Sequence, residues 1–217
     1  MLRAFFDAML AAYGPQHWWP ARTRTEVVIG AILTQNTAWR NVERAIDNLR
    51  AAGALDWTVL RDMPTERLAE LIRPAGTYNI KTRRLRAFIN FLWDRYDGDL
   101  DRLLARPLPT LREELLGISG IGRETADAII LYAGGQPTFV VDAYTARILH
   151  RHRLIDEYAD YEEIKDLFES NLPADAALFN EYHALLVEVG KRHCRPRPIC
   201  EGCPLAQFPH DVPVCES

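Results

Sequence analysis

No cysteine occurs in the first 193 of the 217 residues. A disulfide framework is thereby excluded over that length, which must be held by its apolar core instead. No apolar run approaches the roughly 20 residues that a membrane-spanning helix needs. Residues 1–14 carry Arg3 and Asp7 inside their apolar pattern, so no secretion signal is expected, and the predicted location is the cytoplasm with no membrane partner. Positive charge is not in excess: 26 Lys and Arg stand against 30 Asp and Glu, for a net charge of -4. Bulk adhesion to a polyanion is therefore excluded, and any such contact has to be local. Sustained period-two alternation of β-branched residues is missing, which argues against a sheet. No low-complexity tract interrupts a composition that is 48% hydrophobic and 26% charged.

What is present is helical periodicity, and the expected fold class is all-α. Thr23 with Glu26, Thr110 with Glu113, and Asp160 with Glu163 each place a capping oxygen three residues ahead of a glutamate, predicting helix starts. Gly53, Pro74 to Gly76, Gly98, the Gly134-Gly135-Gln136-Pro137 run and Pro173 interrupt the pattern, leaving about ten helices on short loops. Basic residues cluster at Lys81 to Arg86 and at Arg147 to Arg153, inside helical patterns where solvated faces are the ordinary reading.

All four cysteines, Cys194, Cys200, Cys203 and Cys215, fall in the last 24 residues with the spacing C-x5-C-x2-C-x11-C. Pro196, Pro198, Gly202 and Pro204 lie between them and favour tight loops around a compact centre. Thiols of a cytosolic chain are kept reduced, so metal ligation explains the clustering better than disulfides do, and both zinc and a 4Fe-4S cluster are open.

Residues 115–126 read Leu-Leu-Gly-Ile-Ser-Gly-Ile-Gly-Arg-Glu-Thr-Ala: the end of one helix, a turn on Gly120 and Gly122, and the start of another. Glycines without a β-carbon let a phosphate approach the backbone, and a helix N-terminus adds its dipole. Gly120, Gly122, Arg123 and Thr125, with Lys81 from the basic cluster upstream, are the candidate phosphate contacts. The buried feed Thr138-Phe139-Val140-Val141 then runs into Asp142, which is either the cap of the next helix or a reacting carboxylate.

These motifs together resemble the endonuclease III, helix-hairpin-helix superfamily of DNA glycosylases. Residues 118–126 follow the family's leucine-proline-glycine-valine-glycine hairpin with threonine and alanine after two variable positions, Ser119 replacing the proline. Val141-Asp142 stands where the family carries its catalytic acid, Leu33-Thr34-Gln35-Asn36-Thr37 where its gap-filling glutamine lies, and Tyr78-Asn79-Ile80-Lys81 at its tyrosine-asparagine-x-lysine helix start. The tail is similar to the family's C-x6-C-x2-C-x5-C cluster loop, with departures in both outer spacings, and the likeness spans residues 20 to 205.

The resemblance implies a base-excision enzyme acting on double-stranded DNA that contains a damaged base, a monomer, with Asp142 as catalytic residue. It implies a 4Fe-4S cluster on Cys194, Cys200, Cys203 and Cys215, zinc being the alternative. Bifunctional members place a lysine two residues after the second hairpin glycine; Glu124 stands there, so no strong lyase activity is expected, and Glu124 is a surface residue or an auxiliary acid. Trp18, Trp19, Pro20, Gln35, Asn36 and Trp39 are the candidates for base pocket and intercalation, and the chain looks most like the monofunctional 3-methyladenine glycosylases. Alternatives are a mismatched or deaminated base (thymine, uracil, adenine, hypoxanthine) and a non-enzymatic DNA-binding module. Two helical lobes are expected, residues 21–134 ending in the hairpin and 1–20 plus 135–217 holding the acid and the cysteine loop, with Asp142 facing the cleft between them.

Overall fold

The computed structural model describes residues 1–19 and 21–211, and every regular element among them is helical. The first nine α-helices are α1 (Leu2–Tyr13), α2 (Arg24–Thr34), α3 (Trp39–Ala51), α4 (Trp57–Asp62), α5 (Thr65–Leu71), α6 (Tyr78–Tyr96), α7 (Leu100–Leu104), α8 (Leu108–Leu116) and α9 (Arg123–Ala128). They are followed by α10 (Ala143–Arg151), α11 (Tyr161–Asn171) and α12 (Ala176–Arg192). No described helix is long and apolar enough to cross a membrane. The chain divides into two compact units, Ala21–Gln136 and the pair Met1–Pro20 with Pro137–Ser217.

In the unit Ala21–Gln136, α2 is the hub. Thr23 caps it, its side chain accepting the Glu26 amide at 3.2 Å. Every residue of α2 from Glu26 to Leu33 is buried, the signature of a helix wrapped on all sides, here by α3, α6, α9 and the turn Ile129–Ala133. The buried Glu26 is matched by Arg50, whose Nη2 lies 2.9 Å from Oε1, and by the Arg22 amide at 2.7 Å. The start expected at Thr110 lies two residues earlier: α8 begins at Leu108 after Pro107, because Pro109 fits a first helical turn, where an amide hydrogen has no partner to lose.

α8 and α9 form the two arms of the hairpin. Arg112 on α8 grips Asp127 on α9 with both ends of its guanidinium, Nε to Oδ1 at 2.8 Å and Nη2 to Oδ2 at 3.1 Å. Asp127 is fully buried, so this bidentate pair fixes the angle between the arms.

In the other unit, α12 takes the central place. α1 packs on it, with Phe6 against the Tyr182 ring at 5.4 Å between centroids, and the Tyr182 hydroxyl donates to the Leu2 carbonyl at 2.8 Å. Phe139 stacks on Phe168 with ring centroids 3.7 Å apart, and Tyr182 meets both rings edge-on. α10 lies directly against α12 because Gly190 has no side chain: a β-carbon there would stand 2.2 Å from the Tyr144 ring.

The Arg112–Asp127 pair yields a prediction. Asp127→Ala removes a fully buried carboxylate and both of its bonds to Arg112, and urea unfolding should show a loss of about 3–5 kcal/mol. A loss below about 1 kcal/mol would mean the pair does not hold the hairpin.

Candidate active site

Asp142 is delivered by a buried extended segment. Thr138, Phe139, Val140 and Val141 are all buried. Glu169 Oε1 accepts the Thr138 hydroxyl at 3.1 Å and the Phe139 amide at 2.7 Å, and Lys165 lies 3.0 Å from the same oxygen. The segment ends where α10 begins, with Asp142 as its N-cap. Oδ1 of Asp142 accepts the Thr145 amide at 2.7 Å and the Thr145 hydroxyl at 2.9 Å. Oδ2 lies 3.7 Å from Nε2 of His183 on α12. The capping and the reactive readings of Asp142 are thus compatible, since they use different oxygens.

His183 was not among the candidates found in the sequence. Nothing local marks it, but it sits on the buried face of α12 with Phe179, Tyr182 and Leu186, where a histidine is unusual enough to notice. Burial pushes its pKa below the ordinary value, and the Asp142 carboxylate opposes that shift only in part.

The hairpin turn carries Gly120 at φ +88, and a β-carbon there would meet the Arg84 side chain at 2.3 Å. Gln35 is tied to this turn. Its Nε2 donates to the Gly120 carbonyl at 3.2 Å and to the Thr125 hydroxyl at 2.9 Å, and its Oε1 accepts from Arg84. Asn36 beside it is exposed, at φ +53. Gly122, Arg123 and Glu124 are exposed at the start of α9.

Two phosphate candidates need correcting. Thr125 is buried, and its hydroxyl serves Gln35. Lys81 is buried too, its Nζ donating to the Leu33 carbonyl at 2.8 Å and the Ala75 carbonyl at 2.7 Å. Carbonyls near a helix end lack intrahelical partners, and Lys81 satisfies one for α2. Its burial, with Arg84 nearby, pushes its pKa below the usual lysine value.

The tryptophan candidates belong to different units. Trp18 and Trp19, both half-buried, meet edge-on with centroids 5.7 Å apart, and the Lys191 ammonium sits 5.4 Å from the Trp18 ring centre. Their segment is pinned to α12 by the Gln16 amide, which donates to Glu181 at 2.6 Å, and by Arg192 over the Tyr13 ring at 4.8 Å. Trp39 begins α3 in the other unit and donates to Glu43 at 2.9 Å. Pro20 lies outside the described residues.

Cys194, Cys200 and Cys203 line one cavity beside α10 and the end of α12, while Cys215 lies outside the described residues. Among the described residues no three His, Cys, Asp or Glu side chains are gathered to hold a single metal ion. Burial, and then the neighbouring Cys200 and Cys194, raise the Cys203 thiol. The Tyr13 hydroxyl is buried, has no hydrogen-bond partner among the described residues, and lies near Cys203. Part of the basic run from Arg147 to Arg153, expected as a solvated face, braces this loop. Arg147 Nε donates to the Cys194 carbonyl at 2.7 Å, and Arg151 reaches the Cys194 sulfur at 3.2 Å and the Arg195 carbonyl at 2.7 Å.

Comparison with known proteins gives a consistent result. The family model described as HhH-GPD superfamily base excision DNA repair protein matches residues 29–174. A candidate DNA repair glycosylase of Methanocaldococcus jannaschii is 48% identical over 210 residues, 96% of this chain and 95% of its own. Among solved structures, a 3-methyladenine DNA glycosylase of H. pylori bound to 1,N6-ethenoadenine has a TM-score of 0.73 at 29% identity, covering 88% of this chain and 95% of its own. A non-covalent endonuclease III–DNA complex has a TM-score of 0.81 at 23% identity, covering 95% and 92%, and shows the same fold.

The buried histidine predicts an acid sensitivity. Its folded pKa is depressed, with burial as first cause, whereas in the unfolded chain it takes up a proton near about 6.5. The stability it contributes is present above that value and is lost as pH falls through the folded pKa. Urea midpoints followed from about pH 7.5 down to about pH 5 should fall less steeply for His183→Leu than for the natural chain. Equal slopes would contradict a neutral, buried imidazole.

Proposed function

Since the chain belongs to the HhH-GPD superfamily of base excision DNA repair proteins, and is therefore a DNA glycosylase, we propose that it works without a covalent amine intermediate, using Asp142 as catalytic residue to release an alkylated purine such as 3-methyladenine. The observation that carries this reading is the divided carboxylate of Asp142, one oxygen spent on the α10 cap and the other left over. As the C1′–N bond breaks, its electron pair leaves with the base and the sugar becomes oxocarbenium-like. Oδ2 then offers negative charge to the sugar, and accepts a proton from the water whose oxygen bonds C1′. A 3-methylated adenine is already cationic and departs as a neutral base, so no acid is required. Trp18 and Trp19 offer stacking surface for the everted base.

The amine inventory supports hydrolysis without strand cleavage. The chain has only three lysines, Lys81, Lys165 and Lys191. Lys81 is locked between two carbonyls, Lys165 is paired with Glu169, and Lys191 covers Trp18. At the hairpin position of the lyase amine stands the exposed carboxylate of Glu124. Glu124 is read here as a surface residue of the first helical turn. Gly120, Gly122 and Arg123 are the part of the hairpin offered to the DNA backbone.

One contact favours a second target class. The Lys191 ammonium occupies a face of Trp18 that a cationic base would use, and this favours a neutral mismatched or deaminated base such as thymine, uracil, adenine or hypoxanthine.

The cysteine loop fits an iron-sulfur cluster in its donor chemistry. Three thiols share one cavity, an arginine reaches one sulfur, and a buried hydroxyl with no hydrogen-bond partner among the described residues lies near Cys203. Thiolates suit a four-iron cluster, one on each iron, and the cluster is the cofactor proposed, with zinc as the alternative. Cys194, Cys200, Cys203 and Cys215 would hold it. When bound, it supplies metal–thiolate bonds that staple the loop beside α10.

Two outcomes test the proposal. Incubated with duplexes carrying 3-methyladenine, hypoxanthine, uracil or mismatches, the protein should release base and give strand breaks only after hot alkali, with no adduct trapped by borohydride. A trapped adduct would overturn the reading of Glu124, and release confined to neutral bases would select the second target class. Anaerobically purified protein should show the broad visible absorbance of iron-sulfur clusters, lost in Cys200→Ser; a colourless protein with stoichiometric zinc would contradict the cofactor.

A further inference from the structure

His183 is fixed by tertiary packing. α12 runs against α10 because Gly190 allows the close approach to Tyr144, and that packing sets the spacing between His183 Nε2 and Asp142 Oδ2 at 3.7 Å. This is just beyond hydrogen-bond length, and catalytic contacts commonly tighten when substrate binds. Thr145 holds only Oδ1, through bonds of 2.7 and 2.9 Å. With one oxygen held, the carboxylate can still tilt about that anchor and move Oδ2. The imidazole beside Oδ2 has a side chain only 7% exposed, so water does not compete for the contact.

We propose that His183 is a positioning residue for base excision: its Nε2–H donates to Oδ2 of Asp142 and holds that oxygen at the angle from which it meets the sugar. The proposal rests on Asp142 being catalytic. His183 touches neither DNA nor water in this role and acts through the carboxylate alone. The neutral state of the imidazole belongs to the same design, because an imidazolium at this distance would cancel the negative charge that the sugar needs. The energetic argument is geometric, since a displacement of about 1 Å at a reacting group can cost about 100-fold in rate.

The experiment compares His183→Leu, His183→Gln, His183→Asn and Asp142→Asn, measuring single-turnover base release at saturating protein, DNA affinity and thermal unfolding. His183→Leu removes the donor and should slow release about 10- to 100-fold while DNA affinity stays within about two-fold. His183→Gln places an amide N–H near the lost Nε2 and should recover the rate to within about three-fold, whereas the shorter His183→Asn should not. Recovery by glutamine alone is the signature that a merely structural histidine would not give, and it serves equally if the leucine variant fails to fold. Natural rates in His183→Leu, or equal losses in all three His183 variants that track their unfolding temperatures, would overturn the proposal. If Asp142→Asn releases base at the natural rate, the reading of Asp142 falls instead; a dead Asp142→Asn beside a fully active His183→Leu removes His183 alone.

Discussion

Two hydrogen bonds from Thr145 to one oxygen of Asp142 are the constraint on which the site depends. They start α10, so they determine where the helix begins and which way its first turn faces. They also fix the rotamer of the only carboxylate that follows the buried 138–141 segment, and they consume one of its two oxygens. The rest of the unit acts on this point. Glu169 holds the backbone upstream, α12 brings His183 to the second oxygen, and Arg147 and Arg151 bind the far end of α10 to Cys194. The cysteine loop and the carboxylate are thus opposite ends of one nine-residue helix. Whatever stiffens the loop stiffens the platform under Asp142.

The hairpin follows the same economy in its own unit. Its arms are fixed by the buried Arg112–Asp127 pair, and its turn is occupied by Gln35 and Arg84 rather than left open. Three bonds, to the Gly120 carbonyl, the Thr125 hydroxyl and Arg84, hold Gln35 at the turn. Several basic residues serve the fold itself: Lys81 caps carbonyls, Arg50 neutralises Glu26, and Arg147 and Arg151 brace a loop.

Much of this was legible in the sequence because it is local. The Asp160–Glu163 capping box and the Thr23 cap form as their spacing dictates, and the paired hairpin glycines and the Val141-Asp142 junction stand where the motifs put them. What was missed is tertiary. His183 and Asp142 are joined only by helix packing, which no short motif encodes. The neighbouring Arg83, Arg84 and Arg86 suggest a surface cation at Lys81, yet it shares a stripe with the buried Leu85, Phe88, Ile89 and Leu92. Read at helical spacing, that stripe places Lys81 inside. Thr110 failed as a helix start because the prolines around it set the start earlier.

The most direct test of the account is single-turnover base release by Asp142→Asn, measured beside its urea unfolding curve. Asparagine caps a helix as well as aspartate does, so its oxygen should keep the Thr145 bonds while the charge is lost. The account predicts an unfolding midpoint like that of the natural chain and base release slower by about 100-fold or more. Release at the natural rate, or a loss of activity that appears only together with a loss of stability, would contradict the division of labour between the two oxygens of Asp142.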